Sequence, residues 1–190
     1  MPFKRAKPKE PLAEPALFEY AVGALARRMR TERDLRRLML TRAQPGEPGA
    51  AAINRVVARL VELNYLSDTR FAADYTRLRK ENQSHGRRRV QQDLALKGVA
   101  KDLAATTLAA AYDDSDEVAL ARAYIARKRI QQPSDQKETV RLMNRLMRAG
   151  YSSGAIFKLL RAWHLSEAAM IDESGPDSDS YAEPDEPREE

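Results

Sequence analysis

The sequence predicts an all-α protein made of three tandem three-helix repeats of a helix-turn-helix-like kind. Apolar residues recur at intervals of three and four in successive segments, which is the spacing of one helix face. Equivalent segments follow one another at intervals of roughly fifty residues, which indicates that one unit is repeated. A chain of 190 residues with 43% hydrophobic residues has enough apolar side chains for a core in each repeat.

The repetition is visible in individual residues. Residues 94–99 (LALKGV) align with residues 146–151 (LMRAGY), and each segment ends a helix, passes a glycine and resumes with an apolar side chain. Glycine in that place is typical of a left-handed helix C-cap. Ala21, Ala72 and Ala121 occupy equivalent positions in the first helices, at spacings of 51 and 49 residues.

The first repeat is predicted at residues 16–66, after a basic arm at residues 1–15. The arm contains four prolines and no apolar period, so we expect it to be disordered. The first helix begins at Ala16, and a sequence like a capping box, starting at Thr31, opens the second. The third helix runs from about Ala50, after a loop at 44–49, to Asn64, a residue type that tolerates the left-handed conformation. Leu63, Tyr65 and Leu66 are expected to pack inward.

The second repeat, residues 67–115, carries the most unusual charge pattern of the chain. Its helices are predicted at 68–81, 86–97 and 101–112, and the first of them should bury Phe71, Ala72, Tyr75 and Leu78. The second helix has arginines at 87, 88 and 89 in its first turn. The helix dipole favours acidic residues there, so the cluster indicates contact with an anionic partner.

The third repeat is predicted at residues 116–166, with helices at 116–131, 134–149 and 152–164. Acidic residues at 113–117 should cap its first helix; a Mg²⁺ site is the less favoured interpretation of the same residues. Residues 167–190 hold ten acids and one arginine among Ser, Gly and Pro, and we expect a disordered acidic tail.

The charge is divided between the body and the tail. Residues 17–166 contain 28 Lys and Arg against 16 Asp and Glu, whereas residues 167–190 have a net charge of −9. A basic body predicts a polyanionic partner, and an acidic tail is expected to compete for the basic face. The side chains expected to contact an acidic protein surface or phosphate are Arg27, Arg28, Arg36, Arg37, Arg70, Arg77, Arg79, Lys80, Arg87, Arg88, Arg89 and Lys97.

The inventory of reactive side chains predicts neither an enzyme nor a metal or cofactor site. The chain has two histidines and no cysteine, so no nucleophile–base pair and no thiolate site is indicated. No apolar run is long enough for a membrane span. These features are expected of a cytoplasmic protein.

Four motifs resemble the RecX family, the regulators of the bacterial RecA recombinase. They are LARR at residues 25–28 before Thr31 and Leu35, LVELNYLSD at 60–68, RFAADY at 70–75, and GRRRV through KGV at 86–99. The resemblance extends from residue 17 to about residue 164. The chain departs from the family pattern at Asn64, where the family usually has glycine, in a longer loop near Pro45, and in the acidic tail.

The resemblance implies an elongated, curved array of the three repeats that acts as a negative regulator of RecA. Such a protein would bind RecA filaments on single-stranded DNA and inhibit recombinase, ATPase and coprotease activity, in DNA repair, recombination and SOS control. It would act as a monomer without a cofactor and touch DNA only weakly and non-specifically, through phosphates. Three modules of roughly 25 Å each would span about 75 Å, enough to lie along a filament groove.

Two other interpretations fit the helical repeats. The three-helix units could be helix-turn-helix modules of a transcription regulator that reads duplex DNA, which requires base-contacting side chains on an exposed recognition helix. The third helices, such as residues 101–112, are poor in such side chains. Alternatively, the chain could be a helical scaffold for another acidic protein.

Overall fold

The structure, a computed structural model, describes residues 10–163, and this part of the chain is entirely helical apart from its connections. The prediction of an all-α fold with three-helix repeats is confirmed. The helices are α1 (Glu14–Arg27), α2 (Glu32–Leu40), α3 (Glu47–Glu62), α4 (Asp68–Gln83), α5 (Arg87–Lys97), α6 (Lys101–Tyr112), α7 (Glu117–Arg127), α8 (Gln136–Arg148) and α9 (Ser153–Arg161).

Each consecutive set of three helices encloses its own core. The first core, from α1 to α3, includes Leu17, Leu35, Met39, Val56 and Leu60. The second, from α4 to α6, includes Phe71, Val90, Leu94, Leu108 and Tyr112. The third, from α7 to α9, includes Tyr124, Leu146, Tyr151, Ile156 and Leu160. Leu120 packs against both the second and the third core, so these two repeats share apolar contact.

Side-chain caps account for several helix boundaries, and two of them, Thr31 and Asp116, were predicted from the sequence. Side chains accept hydrogen bonds from first-turn N–H groups of five helices, which satisfies donors that have no partner inside the helix. These capping residues are Thr31, Ser67, Asp116, Asp135 and Ser152. The left-handed conformations predicted for Asn64 and Gly98 are confirmed, with φ values of 58° and 80°.

Two helices begin earlier than the sequence predicts because proline suits the first turn of a helix. Helix α1 begins at Glu14, two residues before Ala16, and α3 begins at Glu47, inside the expected loop at 44–49. The predicted arm at 1–15 therefore overlaps the fold, since the Leu12 N–H donates to the Arg42 carbonyl oxygen at 2.7 Å. Residues 1–9 lie outside the described residues.

Three expected core side chains are instead exposed. The N–H groups of Tyr65 and Leu66 both donate to the Leu60 carbonyl oxygen, in a tight turn that buries Leu66 and leaves Tyr65 58% exposed. Leu63, at the end of α3, is 49% exposed. Leu78 is also exposed, whereas Thr76 of the same helix is fully buried. The tail at 167–190 and His164 lie outside the described residues.

Candidate partner-binding surface

The second helices of the three repeats meet end to end. The Gly86 N–H, before α5, donates to the Ala149 carbonyl oxygen at 2.9 Å, and the Arg88 N–H donates to the Gly150 carbonyl oxygen at 3.3 Å. The C-terminal end of α8 thus lies against the N-terminal end of α5. Because carbonyl oxygens there meet free N–H groups, each helix end caps the other.

The junction between the first and second repeats has the same plan. The Thr31 hydroxyl, before α2, donates to the Lys97 carbonyl oxygen at 2.7 Å, and the Arg33 guanidinium donates to the Leu96 carbonyl oxygen. The Glu32 N–H also donates to an Asp68 carboxylate oxygen at 2.8 Å. The C-terminal end of α5 therefore faces the N-terminal end of α2, and the three repeats form a connected row.

This packing explains why α5 tolerates arginines in its first turn. The C-terminal carbonyl oxygens of α8 carry partial negative charge next to the positive end of the α5 dipole. Arg87 pairs with Asp113 at 2.6 Å, and Arg89 pairs with Asp93 at 3.2 Å. Two of the three arginines thus have partners inside the protein, so their guanidinium groups are only partly available to an external anion. Arg88 is exposed and has no ion pair among the described residues.

Asp93 organises a charged cluster on the second repeat. Its carboxylate is almost fully buried and lies 3.7 Å from the Arg79 Nε, 3.2 Å from the Arg89 Nε and 3.1 Å from the Tyr75 hydroxyl. The Arg79 guanidinium stacks over the Tyr75 ring, 4.8 Å from its centre, and donates to the Tyr75 hydroxyl. Burial raises the pKa of Tyr75, so its hydroxyl stays protonated. Arg79 therefore connects α4 to α5.

Replacing Asp93 by asparagine should lower the free energy of unfolding by about 1 kcal/mol, because both arginines keep solvent access while losing their charged acceptor. Urea denaturation followed by circular dichroism measures the change. The matched control is Asp114→Asn, since Asp114 is exposed, lies in the turn after α6 and its carboxylate has no partner in residues 10–163. Equal stability of the two variants would show that the Asp93 cluster contributes nothing.

Five other predicted contact residues also have partners inside the protein. Arg36 pairs with Glu32, Arg77 with Asp74 and Glu81, and Lys97 with Asp34. Arg70 donates to the Asn64 carbonyl oxygen, and Lys80 donates to the Ala111 carbonyl oxygen and the Ser115 hydroxyl. These side chains connect helices, and their guanidinium or ammonium groups are only partly available to a partner.

Four predicted contact residues are exposed and have neither an ion pair nor a side-chain hydrogen bond within the described part of the chain. They are Arg27 and Arg28 at the end of α1, Arg37 on α2, and Arg88 on α5. We call them the unpaired cations. They lie on the first two repeats of the row.

A further basic surface was missed by the sequence analysis. Lys137, Arg141, Arg145 and Arg148 are all exposed on α8, and none has an ion pair inside the described residues. Their spacing of four, four and three residues places them on one helix face. That spacing is the signal that the sequence offers for this surface.

The structure also bears on the question of catalysis and metals. In residues 10–163, no group of three or more His, Cys, Asp or Glu is placed to hold a metal ion. Asp116 caps α7 as predicted, and Asp113 pairs with Arg87. Burial, followed by the charge of Arg79, lowers the pKa of His85, whose Nδ1 is buried without a hydrogen-bond partner. No helix of this part of the chain is long and apolar enough to cross a membrane.

Comparison with known proteins finds the same family throughout. The sequence model described as "RecX, second three-helix domain" matches residues 67–108. The regulatory protein RecX of Mycobacterium ulcerans is 31% identical over 146 residues, covering 75% of this chain and 82% of the relative. RecX of Listeria innocua is 26% identical over 155 residues, or 81% of this chain and 56% of the relative.

The fold has solved counterparts. The crystal structure of RecX from Lactobacillus salivarius superposes with a TM-score of 0.61 and 18% identity, covering 80% of this chain and 97% of that structure. A second crystal structure of a regulatory protein RecX gives a TM-score of 0.63 over 78% of this chain and 71% of the other. At such low identity the superpositions establish the shared fold alone.

Proposed function

The chain belongs to the RecX family of regulatory proteins, and on this premise we propose that it is a negative regulator of the RecA recombinase. It binds RecA filaments on single-stranded DNA and inhibits recombinase, ATPase and coprotease activity, in DNA repair, recombination and SOS control. It acts in the cytoplasm as a monomer, by binding and without catalysis. Contact with DNA is weak and non-specific, through phosphates.

The observation that supports this proposal most strongly is the row of repeats joined through the ends of their second helices. A filament presents the same surface at regular intervals, and a row of similar modules can engage several of those surfaces at once. Linked modules gain affinity because each later contact is intramolecular. The unpaired cations supply charge for acidic protein surface or phosphate on the first two modules.

The duplex-DNA alternative has weaker support. Helix α6 would be the recognition helix of the second repeat, and its exposed residues are Lys101, Asp102, Ala105, Thr106 and Ala110. Sequence readout in the major groove relies mainly on Arg, Lys, Asn and Gln at the base edges. Only Lys101 is of that kind, so the helix is poorly equipped to read bases.

Co-sedimentation with preformed filaments tests the proposal. RecA is assembled on single-stranded DNA with a slowly hydrolysed ATP analogue, and the chain is labelled at one engineered cysteine, since it has none of its own. We expect tighter binding to filaments than to the same DNA without RecA. Equal affinity for both would reduce the interaction to phosphate contact and contradict the proposal.

The unpaired cations provide the residue-level prediction. Changing Arg27, Arg28, Arg37 and Arg88 together to glutamine should weaken filament binding by about tenfold and change the unfolding midpoint little. These side chains make no ion pair or hydrogen bond within residues 10–163, and the fold loses only the helix-dipole contribution of Arg27 and Arg37. The control changes Lys101, Arg122, Lys128 and Arg129, which are exposed cations outside the proposed contact set, to glutamine. An equal loss in both variants would indicate that only net charge matters.

A further inference from the structure

The third repeat carries more positive charge than its own acids can neutralise. Residues 116–163 contain ten Lys and Arg against four Asp and Glu. All four acids have other partners: Asp116 and Asp135 cap helices, Glu117 accepts from the Ser152 N–H and hydroxyl, and Glu138 accepts from the Ser134 N–H and hydroxyl. The cationic face of α8, made of Lys137, Arg141, Arg145 and Arg148, is therefore left to an anion from elsewhere.

A groove with an apolar floor runs beside this face. It has a volume of about 290 Å³ and lies between residues 130–133 and α8. Pro133 and Leu142 are buried in its floor with Ile130 beside them, while Arg141 and Arg145 stand exposed along its rim. Glu138 also lines the groove, and its carboxylate accepts from the Ser134 N–H and hydroxyl. Such a groove suits a short segment that combines an apolar anchor with carboxylates, because apolar burial and charge pairing then act together.

The chain itself supplies a segment of that kind next to the groove. Gln132, which lines the groove, donates through its Nε2 to the Trp163 carbonyl oxygen at 3.1 Å, so the chain leaves the third repeat at the groove's edge. Met170, Ile171, Asp172 and Glu173 follow within ten residues. An extended chain covers 3.3–3.6 Å per residue, so these four residues can reach roughly 25–35 Å from Trp163. This reach exceeds the length of α8, which is roughly 20 Å.

We propose that the acidic segment after Trp163 docks in this groove, with Met170 and Ile171 on its apolar floor and Asp172 and Glu173 paired with Arg141 and Arg145. The segment occupies the site from within the same chain, so its effective concentration is high. An external polyanion would have to compete with it for Arg141 and Arg145.

Paramagnetic relaxation in the full chain tests this placement without RecA or DNA. A nitroxide is attached at Ser174→Cys, which is then the chain's single cysteine, and the amide signals of residues 130–145 are recorded. We expect selective broadening of these signals, reduced at least about twofold when salt rises to 1 M, since charge pairing is screened within a few ångströms there. Signals of the first repeat should not change.

Two charge variants of the spin-labelled chain make the test specific. Arg141→Gln with Arg145→Gln should remove most of the broadening, whereas Arg37→Gln with Arg88→Gln, an equal change in net charge on other repeats, should leave it intact. Broadening that survives the first pair, or that both pairs reduce equally, would overturn the proposal. Circular dichroism of each variant confirms that α8 remains folded.

Discussion

Gly86→Ala is expected to destabilise the second and third repeats by about 2–3 kcal/mol, because it adds a methyl group where two backbones touch. A Cβ atom at Gly86 would lie 2.3 Å from the Gly150 carbonyl oxygen and 2.8 Å from the Tyr151 nitrogen. Neither is the end of a flexible side chain, so the end of α8 has to move away from α5. The hydrogen bonds from Gly86 and Arg88 to α8 would be lost with it.

Urea denaturation followed by the fluorescence of Trp163, the chain's one tryptophan, measures this change in the third repeat. Gly23→Ala is the matched control, because a Cβ atom there meets nothing within 4 Å. Alanine inside a helix should stabilise α1 by about 0.5–1 kcal/mol. If Gly86→Ala did not lower the free energy of unfolding, as expected of this control, the close backbone contact between α8 and α5 would be contradicted.

Tyr151→Phe is expected to lower the free energy of unfolding by about 2 kcal/mol, because it leaves the buried Ser84 carbonyl oxygen without a donor. The Tyr151 side chain is fully buried, and its hydroxyl lies beside the Ser84 carbonyl oxygen and 3.0 Å from the Leu120 carbonyl oxygen. One proton serves these two acceptors, which belong to different repeats. Burial raises the pKa of Tyr151, so the hydroxyl remains a donor at neutral pH.

The same denaturation experiment on Tyr65→Phe provides the comparison. Tyr65 is 58% exposed, so water replaces any hydrogen bond that its hydroxyl makes, and we expect no measurable change. A Tyr151→Phe variant as stable as Tyr65→Phe would mean that this hydroxyl does not connect the second and third repeats.

The fold could be predicted from sequence because its signals are local. Helical periodicity, capping residues such as Asp116 and the glycine at position 98 each act within one or two turns of helix. The predicted first residues of helices were less accurate where proline lies in the first turn, as in α3. Tyr65 and Leu66 could not be distinguished, because the direction of a side chain at a turn depends on hydrogen bonds that periodicity does not encode.

The candidate site was harder to predict, because whether a cationic side chain is available to a partner protein depends on residues that are distant in the sequence. Arg87 and Arg89 look alike along the chain, yet one pairs with Asp113 from the end of the repeat and the other with Asp93, one turn further along α5. No pattern in the sequence predicts that the C-terminal end of α8 caps the N-terminal end of α5. The groove beside α8 depends on residues 130–133 folding back over that helix, which also requires the structure.

The way in which the ends of the second helices join the repeats bears on the proposed function. Gly86 and Gly150 allow α5 and α8 to meet through backbone, and Arg33 reaches the backbone of α5 from the first repeat. These contacts join the repeats at helix ends, so under the proposed function the three modules would engage a filament as one row.

The most direct test of regulation is the rate of ATP hydrolysis by RecA on preformed filaments over single-stranded DNA, with the chain added well below one copy per RecA. We predict inhibition in that range, because one bound row of repeats acts on several filament subunits, whereas competition for DNA requires far more protein. An unchanged rate, even with the chain in excess over RecA, would contradict the account.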